Sequence, residues 1–249
     1  MQGVTQAELE TSLQETVSIE LLMGSEMLVF DFFSGTGSST IGFKEAGDRV
    51  ISFELDAYFE ADEHCDIMDL TSDYLLRTYG QPDFIWASPP CTAFSVASIG
   101  HHWDNTTGTP KPKTEAASYN QQIVAHTRKL IEELKPRYGY LIENPRGMLR
   151  KLEPVQGLDR VTIAYCQYGD TRQKPTDLWG YVPNWNPKPL CQPGASCHEA
   201  APRGSRTGTQ GLKNAKERSR IAPDLSRELR SAIGVELERG QAANHDLPS

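Results

Sequence analysis

The hydrophobic positions of this chain form short runs that alternate with helix-like stretches. Each run holds four to six apolar residues and ends in a polar or acidic one; the runs are MLVFDFF (27–33), RVISFELD (49–56), DFIWAS (83–88) and YGYLIEN (138–144). Helix-like stretches cover 38–47, 68–79 and 116–135, the last with apolar residues at helical spacing. Strands alternating with helices predict an α/β fold, with a mostly parallel sheet and helices on both faces. Functional residues are then expected at the carboxyl ends of the strands.

The pattern changes after VTIAYCQYGD (161–170) and divides the chain into segments. Residues 183–217 are rich in proline and glycine and predict a small irregular lobe. A final helix is expected to start with Pro223 in its first turn and to end at Gly234. The predicted organisation is an N-terminal extension (1–26), a main domain (27–182), the lobe (183–217), a C-terminal helix returning to the main domain (218–234) and a mobile tail (235–249).

Composition and charge narrow the class of protein. With 249 residues, of which 38% are hydrophobic and 23% charged, the chain suits one globular domain with a small appendage. The net charge of −8 argues against a nucleic-acid partner, but residues 201–220 carry six lysines and arginines against one glutamate. The odd number of cysteines, five, favours a reducing compartment. An acidic, polar N-terminus and the lack of a long apolar run predict a soluble, cytoplasmic protein.

A glycine-rich turn follows the first predicted strand. Gly35, Gly37 and Gly42 let the backbone turn tightly and approach a ligand, and no lysine of a phosphate-binding loop follows them. Glu54 ends the next strand, 17 residues beyond Gly37, where an acidic side chain is placed to bind a ribose diol. Asp66 and Ile67 are candidates to close an adenine pocket. The pattern indicates an adenosine compound, and a tight turn without a ligand is the alternative.

A cysteine follows two prolines at the end of a predicted strand. In SPPCTAFS (88–95), Pro89 and Pro90 fix their φ angles and restrict where the Cys91 thiol points. Glu143 ends the next strand and is a candidate proton donor, provided that its pKa is raised. Arg172 and Lys174 lie further along the chain, in a turn after the sixth predicted strand. The alternatives are a small buried hydrophobic Cys91, a capping or surface Glu143 and solvated basic side chains.

Four of these motifs together resemble the DNA cytosine methyltransferases that act at carbon 5. DFFSGTGSSTIGF looks like the cofactor turn of that family, SPPCTAFS like its Pro-Cys nucleophile loop, IENPRG like its Glu-Asn-Val and QYGDTRQKPTD like its Tyr-Gly…Arg segment. The motifs occur in the family's order between about residues 27 and 176. The chain is most similar to the compact methylases of bacteriophage genomes. The resemblance implies a Rossmann-like class I fold that uses S-adenosylmethionine (SAM).

The resemblance also implies a mechanism of DNA methylation. The target cytosine swings out of the duplex, Cys91 adds to carbon 6, Glu143 protonates ring nitrogen 3, and carbon 5 receives the methyl group. Arg172 or Lys174 would hold the exocyclic oxygen, although strict alignment puts Lys174 and Thr176 on the family's arginines. The implied cofactor-binding residues are Phe33, Ser34, Gly35, Thr36, Gly37, Glu54, Leu55, Asp66, Ile67 and Pro90, with Ser219 near the amino-acid end of the cofactor.

The expected partner is double-stranded DNA, bound by a monomer that recognises a short target. The candidate DNA contacts are Ser95, Lys111, Lys113, Arg203, Arg206 and Lys213. Trp103 is either a wedge that intrudes into the duplex or a packing residue. The alternatives are an RNA or transfer-RNA cytosine methylase, a related carbon-5 alkyl transfer from a modified donor, and a DNA-binding relic without activity. A restriction-modification system or a phage-infected host cytoplasm is the expected setting.

A metal ion is not expected. Cys191, Cys197 and His198 lie within eight residues, and Cys166 is a candidate fourth ligand, but the spacing matches no standard zinc site. We therefore predict no metal at these positions.

Overall fold

A seven-stranded sheet forms the centre of the molecule. The computed structural model describes residues 26–192, 194–199 and 214–245. The strands are β1 (Leu28–Phe32), β2 (Arg49–Glu54), β3 (Glu63–His64), β4 (Phe84–Ala87), β7 (Tyr140–Pro145), β8 (Arg160–Ala164) and β9 (Pro175–Tyr181), while β5 (Trp103–Asp104) and β6 (Lys111–Pro112) form a separate antiparallel pair. The order in the sheet is β3-β2-β1-β4-β7-β9-β8, parallel except for β9, which runs antiparallel to both neighbours. The predicted Rossmann-like α/β class is confirmed.

Helices cover both faces of the sheet because the strand residues point alternately to opposite sides. The helices are α1 (Ile41–Glu45), α2 (Ser72–Thr78), α3 (Ile99–His102), α4 (Glu115–Leu134), α5 (Ala215–Ser219) and α6 (Pro223–His245). On β4, Ile85 faces the core under α2 and α4, whereas Phe84 and Trp86 face the core under α1 and α6. Thr114 begins α4 as an N-cap, its hydroxyl accepting the N–H of Ala117 at 3.2 Å. Among the described residues no helix has the length and apolar content needed to cross a membrane.

The C-terminal helix is longer than the sequence predicted. α6 begins at Pro223 as expected, but it passes through Gly234 and ends at His245. The expectation of a helix end at Gly234 was therefore wrong, and the mobility of the tail from residue 235 stays a prediction. Leu237 continues the apolar stripe of Leu225, Leu229 and Ile233 onto the same core, and this burial outweighs the modest cost of a glycine in a helix.

The carboxyl ends of five parallel strands meet at one edge of the sheet. At this edge the glycine turn follows β1, Asp66 follows β3 and the Cys91 segment follows β4. Glu54 ends β2, and Glu143 lies near the end of β7. The sequence motifs, which span more than a hundred residues, are thereby gathered at one edge.

Candidate active site

The segment that carries Cys91 (residues 88–95, the Cys91 loop) is fixed by hydrogen bonds from two neighbouring elements. The Asn144 amide at the end of β7 donates to the carbonyl of Pro89 at 2.9 Å, and the Asn120 amide on α4 donates to that of Pro90 at 3.5 Å. The loop closes on itself where the N–H groups of Phe94 and Ser95 donate to the Cys91 carbonyl, each at 3.0 Å. The thiol therefore stands on a backbone with little freedom.

The far end of the loop packs against the turn after β7. The N–H of Met148 donates to the Phe94 carbonyl at 2.8 Å, and a Cβ on Gly147 would lie only 2.2 Å from that oxygen, so glycine is required there. The Trp103 indole donates to the Ala93 carbonyl at 2.7 Å and stacks on the Phe94 ring. Trp103 is only 3% exposed, which decides between its two interpretations: it is a packing residue, not a wedge.

Glu143 is a buried carboxyl with defined partners. The Tyr165 hydroxyl donates to its Oε1 at 3.0 Å, and the Ser88 hydroxyl is a second donor. Burial raises the pKa of Glu143, against the opposing effects of Lys174 and these two hydroxyls. A carboxyl of this kind is suited to donate a proton near neutral pH.

Cys91, Glu143 and Lys174 interact electrostatically at this edge. Burial and, secondly, the charge of Glu143 raise the pKa of the Cys91 thiol, whereas Lys174 lowers it. Burial lowers the pKa of the Lys174 ammonium, and the negative charges of Glu143 and Cys91 act in the opposite direction. The Lys174 Nζ lies 4.5 Å from the centre of the Tyr165 ring. The arrangement brings a thiol, a buried carboxyl and an ammonium group together.

Arg172 does not belong to this group. Its guanidinium pairs with Asp170 and donates to the carbonyls of Glu217, Arg218 and Arg220 at 2.9, 3.1 and 3.1 Å. These partners occupy the guanidinium donors, so the structure does not support the expected contact of Arg172 with a substrate base, which stays a prediction. Thr176, the other alternative, is fully buried and donates to the Lys174 carbonyl at 3.0 Å. Lys174 is the remaining candidate.

A cavity of about 180 Å³ lies beside the Cys91 loop. Six predicted cofactor residues line it, namely Phe33, Glu54, Leu55, Asp66, Ile67 and Pro90. The carboxylate of Glu54 accepts the N–H groups of Gly35, Leu55 and Asp56 at 2.8 to 3.0 Å, which orients it at the mouth of the glycine turn. The lining is mostly apolar with three carboxylates, Glu54, Asp56 and Asp66, which suits a purine and a ribose.

Sequence reasoning missed part of this lining. Tyr119 and Ile123 reach the cavity from α4, and Phe53, Asp56 and Cys65 also line it. The Tyr119 hydroxyl donates to Asp66 at 3.1 Å across 53 positions of the chain. The spacing of Tyr119 and Ile123, one helical turn apart, was the available signal, but it cannot show which strand end the helix faces.

A second cavity, of about 580 Å³, opens on the other side of the glycine turn. Thr36 and Gly37 line it together with Asp170, Arg172, Glu217, Arg220 and Ile221. Ser34 and Gly35 line neither cavity; the Ser34 hydroxyl is buried without a partner among the described residues. Ser219 also lines neither cavity, and its hydroxyl donates to the Lys216 carbonyl at 2.9 Å. The structure therefore does not support its predicted contact with a cofactor. Arg220 and Ile221 occupy that place.

The predicted DNA-contacting residues are only partly described. Lys111 and Lys113 are exposed around the β5–β6 pair, and the Lys113 ammonium donates to the Gly100 carbonyl at 2.7 Å. Ser95 is half-buried and exchanges a hydrogen bond of 2.9 Å with Ser98. Arg203, Arg206 and Lys213 lie outside the described residues, as does the extension 1–25.

The fold gathers the four residues at which no metal ion was predicted. That prediction rested on the spacing of Cys191, Cys197 and His198, but their ligand atoms and that of Cys166 lie within 4.8 Å of one another. Sequence spacing did not show this proximity, because Cys166 belongs to a different element, the turn after β8.

The sequence is similar to those of known DNA methylases. The model of the family described as C-5 cytosine-specific DNA methylase matches residues 27–156. A probable DNA (cytosine-5)-methyltransferase of Frog virus 3 is 26% identical over 175 residues, covering 69% of this chain and 78% of the viral protein. The type II methyltransferase M.AplI of Arthrospira platensis is 27% identical over 148 residues, which cover 56% of this chain. The match spans only 37% of M.AplI and 28% of M.XorII of Xanthomonas oryzae.

Solved structures include distant neighbours. The Dnmt2 methyltransferase of S. pombe gives a TM-score of 0.45 at 13% identity, covering 66% of this chain and 52% of that protein. The METTL16 methyltransferase domain gives 0.37 at 15% identity, covering 71% and 69% of the two chains.

Proposed function

The chain belongs to the C-5 cytosine-specific DNA methylase family, and we propose that it transfers a methyl group from SAM to carbon 5 of cytosine in DNA. The observation that carries the proposal is the group formed by Cys91, Glu143 and Lys174 beside a cavity suited to an adenosine compound. A thiol on a rigid loop, a carboxyl of raised pKa and a nearby ammonium are the three functions that addition to a pyrimidine requires.

The two cavities support SAM as the cofactor. The Glu54 carboxylate, oriented by three backbone N–H groups, would accept hydrogen bonds from the ribose hydroxyls, and Ile67, Pro90 and Phe33 would flank the adenine. Arg220, in the second cavity, is suited to the carboxylate at the amino-acid end. When bound, SAM supplies an electrophilic methyl group attached to a positively charged sulfur.

Each residue of the group has a separate task. Cys91 loses its proton to water and its sulfur bonds to carbon 6 of cytosine, while Glu143 gives a proton to ring nitrogen 3 and so avoids a free carbanion. Lys174 stabilises the thiolate and would hold the exocyclic oxygen. Methyl transfer to carbon 5 would leave S-adenosylhomocysteine as the co-product. The carbon-5 proton then leaves to water, the carbon–sulfur bond breaks to release the Cys91 thiolate, and nitrogen 3 returns its proton to Glu143.

A cytosine inside a duplex cannot reach Cys91. The target base must therefore leave the stack, as for other enzymes that act on bases. We therefore propose that the enzyme flips its target base out of the duplex. We also propose that it acts on DNA in a host cytoplasm and that it is a monomer.

A covalent trap tests the proposal. Genomic DNA containing 5-fluorocytosine, which offers every short target, is incubated with the protein and SAM, because fluorine at carbon 5 prevents the final elimination. We expect a DNA–protein adduct on Cys91 for the wild type and none for C91S. E143Q should form the adduct at least about a hundredfold more slowly, since general acid catalysis contributes about 10²–10⁴-fold.

A comparison of duplex DNA with transfer RNA tests which nucleic acid is the substrate. Transfer of a labelled methyl group to duplex DNA, but not to transfer RNA, is the expected outcome. An adduct with C91S would disprove the nucleophile, and labelling of RNA alone would replace DNA by RNA as the substrate.

A further inference from the structure

Cys166 meets three side chains of residues 191–198, which lie at least 25 positions further along the chain. Cys166 lies in the single turn Tyr165–Tyr168 that follows β8, and Cys191, Cys197 and His198 lie in the described part of the lobe. The Cys166 and Cys191 sulfurs are 3.2 Å apart, and those of Cys197 and Cys166 are 3.6 Å apart. The His198 Nδ1 lies 3.6 Å from the Cys191 sulfur and 3.5 Å from that of Cys197.

The distances are those of a tetrahedral metal site. Zinc bonds of ~2.3 Å to sulfur and ~2.05 Å to nitrogen give tetrahedron edges of about 3.8 Å between sulfurs and about 3.5 Å between sulfur and nitrogen. Both sulfur–nitrogen distances and the Cys166–Cys197 distance lie within about 0.2 Å of these edges, and the Cys166–Cys191 distance is about 0.6 Å shorter, so a metal ion would move these two sulfurs apart. We propose that Cys166, Cys191, Cys197 and His198 form a closed structural zinc site that joins the lobe to the catalytic domain.

The surroundings provide hydrogen bonds that suit thiolates. The Gln167 amide donates to the Cys197 sulfur at 3.3 Å, and the Gln173 amide donates to both the sulfur and the carbonyl of Cys191 at 3.3 Å. Such outer contacts orient metal-bound sulfurs and partly offset their negative charge. Three cysteines with one histidine favour zinc over the hard cations, which prefer oxygen ligands.

A disulfide is the competing interpretation of the close Cys166–Cys191 pair. It would use two of the four ligands and would leave unexplained why Cys197 and His198 point at the same spot. The zinc site uses all four and leaves no ligand position open for chemistry, which is typical of a structural role.

The site lies next to the proposed catalytic group but does not depend on it. The Tyr165 hydroxyl, one residue before Cys166, donates to Glu143, and the N–H of Glu199 donates to the Thr171 carbonyl at 2.9 Å. Zinc would fix residues 191–199 against this turn. Zinc binding requires only the four ligands, so it would persist in a protein that transfers no methyl group.

Metal analysis of the full chain, produced without a histidine tag, tests the site. After dialysis against a weak chelator, we expect about one zinc ion per chain by inductively coupled plasma mass spectrometry. Replacement by Co²⁺ should give the visible bands of tetrahedral cobalt and a thiolate charge-transfer band. Because these measurements use the wild-type protein, misfolding of a variant cannot obscure them.

Variants then identify the ligands. C197S replaces an exposed ligand and should lower the bound zinc at least about fivefold, because zinc prefers thiolate to hydroxyl ligands. H198C keeps four ligands and should retain the metal, and C65S, a thiol outside the cluster, should not change the zinc content. Metal-free wild-type protein after growth with added zinc, or a Cys166–Cys191 disulfide in protein purified without oxygen, would overturn the proposal.

Discussion

At the scale of single residues, the resting state of Cys91 is set by its two charged neighbours. Burial and Glu143 raise the pKa of the thiol, and Lys174 lowers it, so that the free protein holds mainly the thiol near neutral pH. A thiol of this kind is protected from oxidation until a substrate and a proton acceptor complete the site.

Charge-removing variants should move this pKa in opposite directions. E143Q removes a negative charge, so the pH profile of Cys91 alkylation by iodoacetamide should shift to lower pH, whereas K174M should shift it to higher pH. At a fixed pH below the pKa, lowering the pKa by about one raises the thiolate fraction about tenfold. Peptide mass spectrometry from about pH 7 to about 10.5, a range that extends above the usual thiol pKa of about 8.5, measures the profile, with Cys65 as internal reference. Shifts in the same direction for both variants would contradict the arrangement.

Asp31 offers a test of burial that is separate from catalysis. This residue of β1 is fully buried and accepts hydrogen bonds from the hydroxyls of Ser39 and Thr40, and burial raises its pKa to about 6. Since the folded state binds the proton more tightly than the unfolded state, the Asp31 contribution to stability is complete below about pH 4 and is lost as the pH rises through 6.

The D31N variant makes that contribution measurable. Relative to D31N, the wild type should gain about 1 to 1.5 kcal/mol in free energy of unfolding when the pH falls from about 7.5 to 5. Urea unfolding at the two pH values gives the difference. If the difference in free energy of unfolding between the wild type and D31N did not change with pH, or changed in favour of D31N as the pH falls, the Asp31 pKa would not be raised.

At the scale of elements, α1 and α6 approach so closely that one position must be glycine. The N–H of Gly42 donates to the Ser226 hydroxyl at 3.0 Å, and a Cβ there would lie 2.5 Å from the Arg227 nitrogen. We expect G42A to lower the free energy of unfolding by about 1–3 kcal/mol, the usual cost of overpacking. G100A in α3, where nothing lies within 4 Å, is the matched control. Equal stability of the two variants in urea would contradict close packing.

The elements that the sequence predicts are those whose burial is apolar. The runs of β1, β2, β4 and β7 correspond to observed strands, and the 116–135 stretch corresponds to α4. β9 was missed, because Thr176 and Asp177 interrupt the apolar pattern of its segment. Asp177 is fully buried there because the Arg150 guanidinium pairs with it at 2.6 Å from a distant turn. A compensated charge of this kind leaves no local signal.

The candidate site divides in the same way. Cys91, Glu143 and Glu54 were predictable because each one ends an apolar run, and parallel strands bring such ends together. The surroundings of Arg172 and Cys166 were not predictable in this way, because their partners Arg220 and Cys191 lie 48 and 25 residues further along the chain. Only tertiary structure connects them.

At the scale of the whole molecule, Arg172 joins the C-terminal part of the chain to the turn after β8. Its donors reach carbonyls of residues 217–220, and Ile221 continues the connection by donating its N–H to the Ser38 hydroxyl at 2.9 Å. The second cavity lies between these segments and the glycine turn. The same contacts that anchor the C-terminal part therefore shape the proposed binding site for the amino-acid end of SAM.

This position makes Arg172 a test of structural against catalytic roles. R172A leaves the Asp170 carboxylate and the carbonyls without their partner, and removing one member of a buried pair costs about 3–5 kcal/mol. We expect that loss in urea unfolding, together with faster proteolysis near residues 214–222 and weaker SAM binding by calorimetry. R227A is the matched control: its ion pairs with Glu45 and Asp224 are about half exposed, so it should cost at most about 1 kcal/mol. If R172A kept its stability and SAM affinity but lost methyl transfer, Arg172 would contact the base after all, and Lys174 would not be the cation that the chemistry uses.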